Sequence, residues 1–260
     1  HKEIALTSLT VDSLKLCIGD KTLCHNLSFT IRSQESWALL GRNGAGKTTL
    51  LHSILGINKP TEGSIAIDSV PLQNYTRHQL AKRVGILFQD ETNSLPATVL
   101  ESVLLGRHPY PKPFFRDCPE DLRSVKDLLK ELSLEKIKNR KIGSLSGGEM
   151  QRVAIAMLLA QEPDIFLLDE PNNNLAVGYQ INLLEAIKQK INKKSGSILM
   201  ATHDINFAAR FCDHFILFLD KDEILIGNKQ EVLSTQNLSK AYDCQINSIS
   251  AEDKTFFYPT

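Results

Sequence analysis

Four residues at one spacing carry the clearest chemistry in this chain. In "WALLGRNGAGKTTLLHSILG", which begins at Trp37, Gly41, Gly46, Lys47 and Thr48 satisfy G-x-x-x-x-G-K-[ST]. Glycines let such a loop turn its backbone N–H groups inward onto phosphate oxygens. The Lys47 ammonium can reach the β- and γ-phosphates, and the Thr48 hydroxyl can ligate Mg²⁺. The candidate phosphate-binding residues are Gly41, Asn43, Gly44, Ala45, Gly46, Lys47, Thr48 and Thr49. "SWALL" predicts a short buried strand ahead of the loop, and "KTTLLHSIL" a helix behind it, stopped by Gly56. The N-terminus of that helix adds roughly half a positive charge. An incidental glycine-rich turn would not bring strand, spacing and helix together. The combination implies a nucleoside triphosphate site.

Other polar groups stand at the ends of apolar runs. "DIFLLDE" predicts a buried strand, Ile165–Leu168, that delivers Asp169 and Glu170. Such runs belong to a parallel sheet covered on both faces, whose carboxyl edge faces the ligand crevice. Phosphoryl transfer needs a carboxylate near Mg²⁺ and a group that orients the attacking water. Asp169 suits the first role and Glu170 the second. "SILMAT" brings His203 and Asp204 to the same edge, where an imidazole can hydrogen-bond a γ-phosphate. Taken singly, two acids or one histidine after a strand are more commonly solvated caps. Beside a phosphate loop they become catalytic candidates. In "VGILFQDE" a strand-like run ends at Gln89, a long amide able to ligate Mg²⁺ and sense the nucleotide. "LSGGEMQRVAIAMLLA" sets Ser146, Gly147, Gly148 and Glu149 at the start of an apolar-faced helix, a second anion-binding terminus.

The elements that must hold these groups need one large domain, or one core with a smaller lobe, and 260 residues with 42% apolar content supply it. Lysine plus arginine equal aspartate plus glutamate at 30 each, so no global field favours nucleic acid or anionic lipid. Apolar stretches such as Val153–Ala160 fall short of the roughly 18 to 20 residues that span a bilayer. "HKEIALTSLT" holds no apolar signal core. Cys17, Cys24, Cys118, Cys212 and Cys244 form no CxxC and are odd in number, which predicts reduced thiols in the cytoplasm.

Phosphate loop, Gln89, LSGG, Asp169–Glu170 and His203 follow one another in an order that resembles the ATP-binding cassette of ABC transporters. The resemblance spans nearly the whole chain. It implies an α/β fold: a P-loop NTPase cassette with a RecA-like core, an antiparallel β arm and an α-helical subdomain. Residues 1–90 and 161–227 would form the core and arm, 91–160 the helical subdomain with the signature, and 228–260 a helical tail without chemistry of its own. It further implies an ATPase acting as a pair of identical chains, with the Ser146 loop of one closing over ATP held by Lys47 of the other. Glu170 would polarise water, His203 would contact the γ-phosphate, and Thr48, Asp169 and Gln89 would support Mg²⁺. A polytopic permease would hold the chain at the cytoplasmic face of the cell membrane, with a substrate-binding protein as indirect partner and no nucleic acid involved.

"QLAKRVGILFQDETNSLPATVLESVLLGRHPY", "ATHDINFAARFCDHFILF" and "GNKQEVLSTQNLSKAY" resemble importer cassettes for iron–siderophore, haem and cobalamin, and "LPATVLESVLLGRHP" most resembles the cobalamin type. An exporter or lipid-transport cassette, or a soluble ABC ATPase outside transport, are the alternatives. Two departures stand out. Ile18 occupies the position where the family usually stacks an aromatic on adenine, which predicts weaker, less base-selective binding. "DEPNNNLA" puts Ala176 where family members commonly place an interface aspartate, leaving Asn172, Asn173 and Asn174 as amides without charge.

Overall fold

The computed structural model describes residues 7–88, 96–110, 119–173, 177–219, 223–251 and 254–260. Two sheets share the work. The first is antiparallel, with β1 (Ser8–Ile18), β2 (Lys21–Arg32), β4 (Glu62–Ile67) and β5 (Val70–Pro71) in the order β2-β1-β4-β5. The second has six strands in the order β10-β9-β3-β8-β7-β6. These are β3 (Ser36–Leu40), β6 (Val84–Leu87), β7 (Ile165–Asp169), β8 (Ser197–Ala201), β9 (His214–Phe218) and β10 (Ile224–Asn228). All its pairings are parallel except the edge pair of β9 and β10.

β3, β7 and β8 are buried at every position, because their alternating side chains feed two different cores. Trp37 and Leu39 of β3, Ile165 and Leu167 of β7, and Leu199 of β8 point to a core shared with the antiparallel sheet and α1 (Lys47–Ile54). Ala38, Leu40, Phe166, Leu168, Ile198 and Met200 point the other way, into the larger core. The remaining helices are α2 (Arg77–Arg83), α3 (Val99–Leu105), α4 (Pro119–Glu131), α5 (Gly147–Gln161), α6 (Val177–Lys194), α7 (Ile205–Phe211), α8 (Lys229–Val232) and α9 (Thr235–Tyr242). α2, α3 and α5 each begin with a full capping box, at Thr76, Thr98 and Ser146. Among the described residues no helix is long and apolar enough to cross a membrane.

The tail corrects one expectation. Helices α8 and α9 are present, but residues beyond them pair as a hairpin, β11 (Ile246–Ala251) with β12 (Lys254–Pro259). The sequence "KTFFYP" is aromatic and extended by preference, and Phe257 plugs it into the larger core at 7% exposure.

Candidate active site

Parallel pairing aligns the carboxyl ends of β3, β7 and β8 along one edge of the sheet. The loop after β3 is the phosphate cradle. Gly41, Gly44 and Gly46 hold φ values of 142°, 78° and 105°, conformations that only glycine adopts without strain. Gly46 has a second reason to lack a side chain, since a Cβ there would stand 3.0 Å from the Leu23 Cβ. α1 begins at Lys47 with no side-chain cap, so its first N–H groups remain available to an anion.

A cleft of about 270 Å³ opens over this loop. Ile18, Leu23, Asn43, Gly44, Gly46, Lys47, Thr48, Thr49, Asp169, Glu170 and His203 line it. Six of the eight phosphate-loop candidates, both acids, the histidine and Ile18 are thus gathered at one place, while Gly41 and Ala45 do not line the cleft. Ile18 sits at the lip, 59% exposed. Lys47 is buried, and its Nζ donates to the carbonyls of Gly41 at 2.7 Å and Arg42 at 3.2 Å. Burial lowers its pKa, while the Glu170 and Asp169 carboxylates pull it back up. Asp169 is pushed the opposite way. Burial raises its pKa, a hydrogen bond from Thr48 lowers it, and the neighbouring Glu170 raises it again. Thr48 and Asp169 therefore present two hard oxygen donors side by side. That donor set fits Mg²⁺, which prefers oxygen ligands and carboxylates.

Glu170 stands just past β7 with φ 48°, a left-handed turn that is costly for a residue with a side chain. The turn is held by its N–H on the Ala201 carbonyl at 2.8 Å and by its own carbonyl, which accepts from Asn173 N–H at 3.1 Å. The carboxylate is buried. Its Oε2 accepts from Thr202 Oγ1 at 3.2 Å and from the His203 backbone N–H at 3.4 Å, and lies 2.9 Å from His203 Nδ1. His203 is 57% exposed at its side chain and lines the cleft, with Nδ1 beside the Glu170 carboxylate.

The sequence did not point to Thr202, although it stands inside "MATHD" and is fully buried. Its hydroxyl lies 3.4 Å from Asn172 Oδ1 as well as 3.2 Å from Glu170, rooting the asparagine loop at the catalytic acid. Leu23 was missed too, because an apolar strand residue carries no local sign that it backs a phosphate loop. The signature residues are elsewhere. Ser146 and Gly147 are exposed, outside the cleft, and the Ser146 Oγ accepts from Glu149 N–H while Glu149 accepts from Ser146 N–H at 2.8 Å. Glu149 also pairs with Arg140 at 3.1 Å. Gln89, Asn174 and Ala176 lie outside the described residues.

Known proteins share this arrangement. The sequence pattern of the ABC transporter family matches residues 24–173. The chain is 32% identical to the ferric enterobactin transport ATP-binding protein FepC of Escherichia coli, over 92% of this chain and 88% of that one. It is 34% identical to the iron(3+)-hydroxamate import ATP-binding protein FhuC of Bacillus subtilis, over 91% and 88%. A solved ABC transporter in an inward-facing conformation, described as of metal-chelate type, superimposes with a TM-score of 0.82 at 25% identity, covering 98% of both chains. A phosphate loop, an acid pair and a histidine converging on one sheet edge are thus found in a chain that belongs to the ABC transporter family, as an ATP-binding cassette and ATPase.

Proposed function

We propose that this chain is the ATP-hydrolysing subunit of an importer for an iron chelate, working as a pair of identical chains beneath a membrane permease. One observation carries the chemistry: the buried Glu170 carboxylate and the exposed His203 imidazole stand 2.9 Å apart, Oε2 to Nδ1, above the phosphate loop. Loop N–H groups, the α1 N-terminus and Lys47 bind the triphosphate. The partly desolvated ammonium gains more from a phosphate than a hydrated one would. Glu170 orients a water toward the γ-phosphorus and accepts its proton as the P–O bond to the leaving ADP breaks. His203, tethered at Nδ1, offers Nε2 to a γ-phosphate oxygen. Thr48, Asp169 and Gln89 would hold Mg²⁺, which would supply charge neutralisation on the phosphates.

The Ser146 loop completes the site from the second chain, which accounts for a signature that stands exposed and away from its own cleft. ATP favours the closed pair, and hydrolysis with product release resets it. The names of FepC and FhuC, both iron-chelate transport proteins aligned over nine-tenths of this chain, support the cargo. Cobalamin and haem are alternative cargoes of the same machine.

Proteoliposomes holding this chain with its permease and binding protein should take up a ferric siderophore in an ATP-dependent way. Uptake of cobalamin or haem instead would change the cargo. Efflux, or failure to co-purify with any polytopic partner, would overturn the importer.

A further inference from the structure

The tail reaches the site's edge at the loops after β3 and β8 and at α7. α9 ends at Tyr242, whose hydroxyl donates to the backbone carbonyl of His203 at 3.4 Å. One hydroxyl thus ties the end of α9 to the peptide that carries the histidine. Next door, Asp243 pairs with Arg42 of the loop at 3.2 Å. Further on, the Asn206 side chain in α7 donates to the Phe257 carbonyl at 2.9 Å and accepts from Phe257 N–H at 2.8 Å. α9 and β11 are themselves tied by Ile246 N–H on Ser239 Oγ at 2.9 Å. Burial drives the Tyr242 phenol well above its ordinary pKa, and the Glu170 and Asp204 carboxylates nearby add to this. It therefore stays a neutral donor throughout the physiological range.

We propose that Tyr242 is a positioning residue for hydrolysis: its hydroxyl sets the height of His203 over the phosphate loop, acting from the C-terminal tail across the sheet edge. The phenol is not among the residues that line the cleft. It acts through the His203 peptide, and the Asn206–Phe257 pair keeps the tail in register for it. The tail thereby has a part in the chemistry that its sequence does not disclose. This rests on the role of His203 proposed above.

Tyr242→Phe keeps the ring and removes only the hydroxyl. In the full chain, kcat for ATP should fall roughly three- to fivefold, the worth of one long hydrogen bond, with KM for ATP and thermal midpoint unchanged. On a His203→Ala background the same substitution should have no further effect, because both act on one group. Unchanged kcat in Tyr242→Phe, or a loss that multiplies with that of His203→Ala, overturns the proposal. So does a parallel loss of thermal midpoint and ATP affinity, which would make Tyr242 structural only. His203→Ala alone tests the underlying role. If it leaves kcat unchanged, that role falls and the Tyr242 proposal with it; if it lowers kcat while Tyr242→Phe is silent, only the Tyr242 proposal falls.

Discussion

Asp169 has a charge in a place that water barely reaches, at 2% exposure. Its pKa in the folded chain lies above the ordinary value, so the ionised carboxylate costs the folded state something the unfolded chain does not pay. That penalty is complete above the folded pKa and vanishes as pH falls below the unfolded value. Asp169→Asn should therefore raise the thermal midpoint in the absence of nucleotide, most near pH 8 and least near pH 4. Melting curves across that range check it; a gain that grows toward acid pH would contradict the assignment. Ile18 offers a second test. A tyrosine there adds a ring at the cleft's lip, and stacking on a base is worth about 1–3 kcal/mol. Part of this the isoleucine already supplies, so Ile18→Tyr should tighten ATP roughly tenfold by calorimetry. Unchanged affinity would place adenine elsewhere. Asp169 was legible because it ends a strongly apolar strand, and Ile18 through the family resemblance alone. Thr202 and Tyr242 were not, since their meaning comes from Glu170 and His203, 32 and 39 residues away in the chain.

At the scale of elements, the helical lobe depends on how closely α3 and α5 approach. Gly106 caps α3 with ordinary helical φ, so backbone freedom does not explain it. Space does: a Cβ there would lie 2.3 Å from the Met157 carbonyl and 3.0 Å from the Ala160 Cβ in α5. Gly106→Ala should cost about 1–3 kcal/mol of stability by denaturant titration. A neutral result would mean the two helices slide apart freely. Nearby, Arg107 donates to Asp121 at 2.7 Å and to the Ala160 carbonyl at 2.8 Å, so α4 and the end of α5 share one guanidinium. The apolar runs of β3, β7 and β8 announced a covered parallel sheet, because a strand buried on both faces has no polar alternation to hide it. The hairpin at the C-terminus was harder to read. "INSISA" and "KTFFYP" alternate weakly, and one face of the hairpin remains exposed at Ile249, Phe256 and Tyr258.

For the whole molecule the decisive variant is Glu170→Gln, which keeps the shape of the side chain and removes the base. Hydrolysis should slow by roughly 10²–10⁴. With ATP and Mg²⁺ present, light scattering should then report twice the mass of the single chain, because the closed pair no longer resets. Normal turnover would remove Glu170 from its role, and an unchanged mass would remove the pair.

β3 has one more consequence, and it concerns the order of synthesis. Its neighbours in the sheet are β8 and β9, with Ser36 against Ile198 and Trp37 against His214. When the phosphate loop leaves the ribosome, neither flanking strand has been made. An unfinished chain has the whole G-x-x-x-x-G-K-T motif but no sheet on which to mount it, and contacts so distant in sequence form slowly. Competence to burn ATP is therefore withheld until the last third of the chain has been translated.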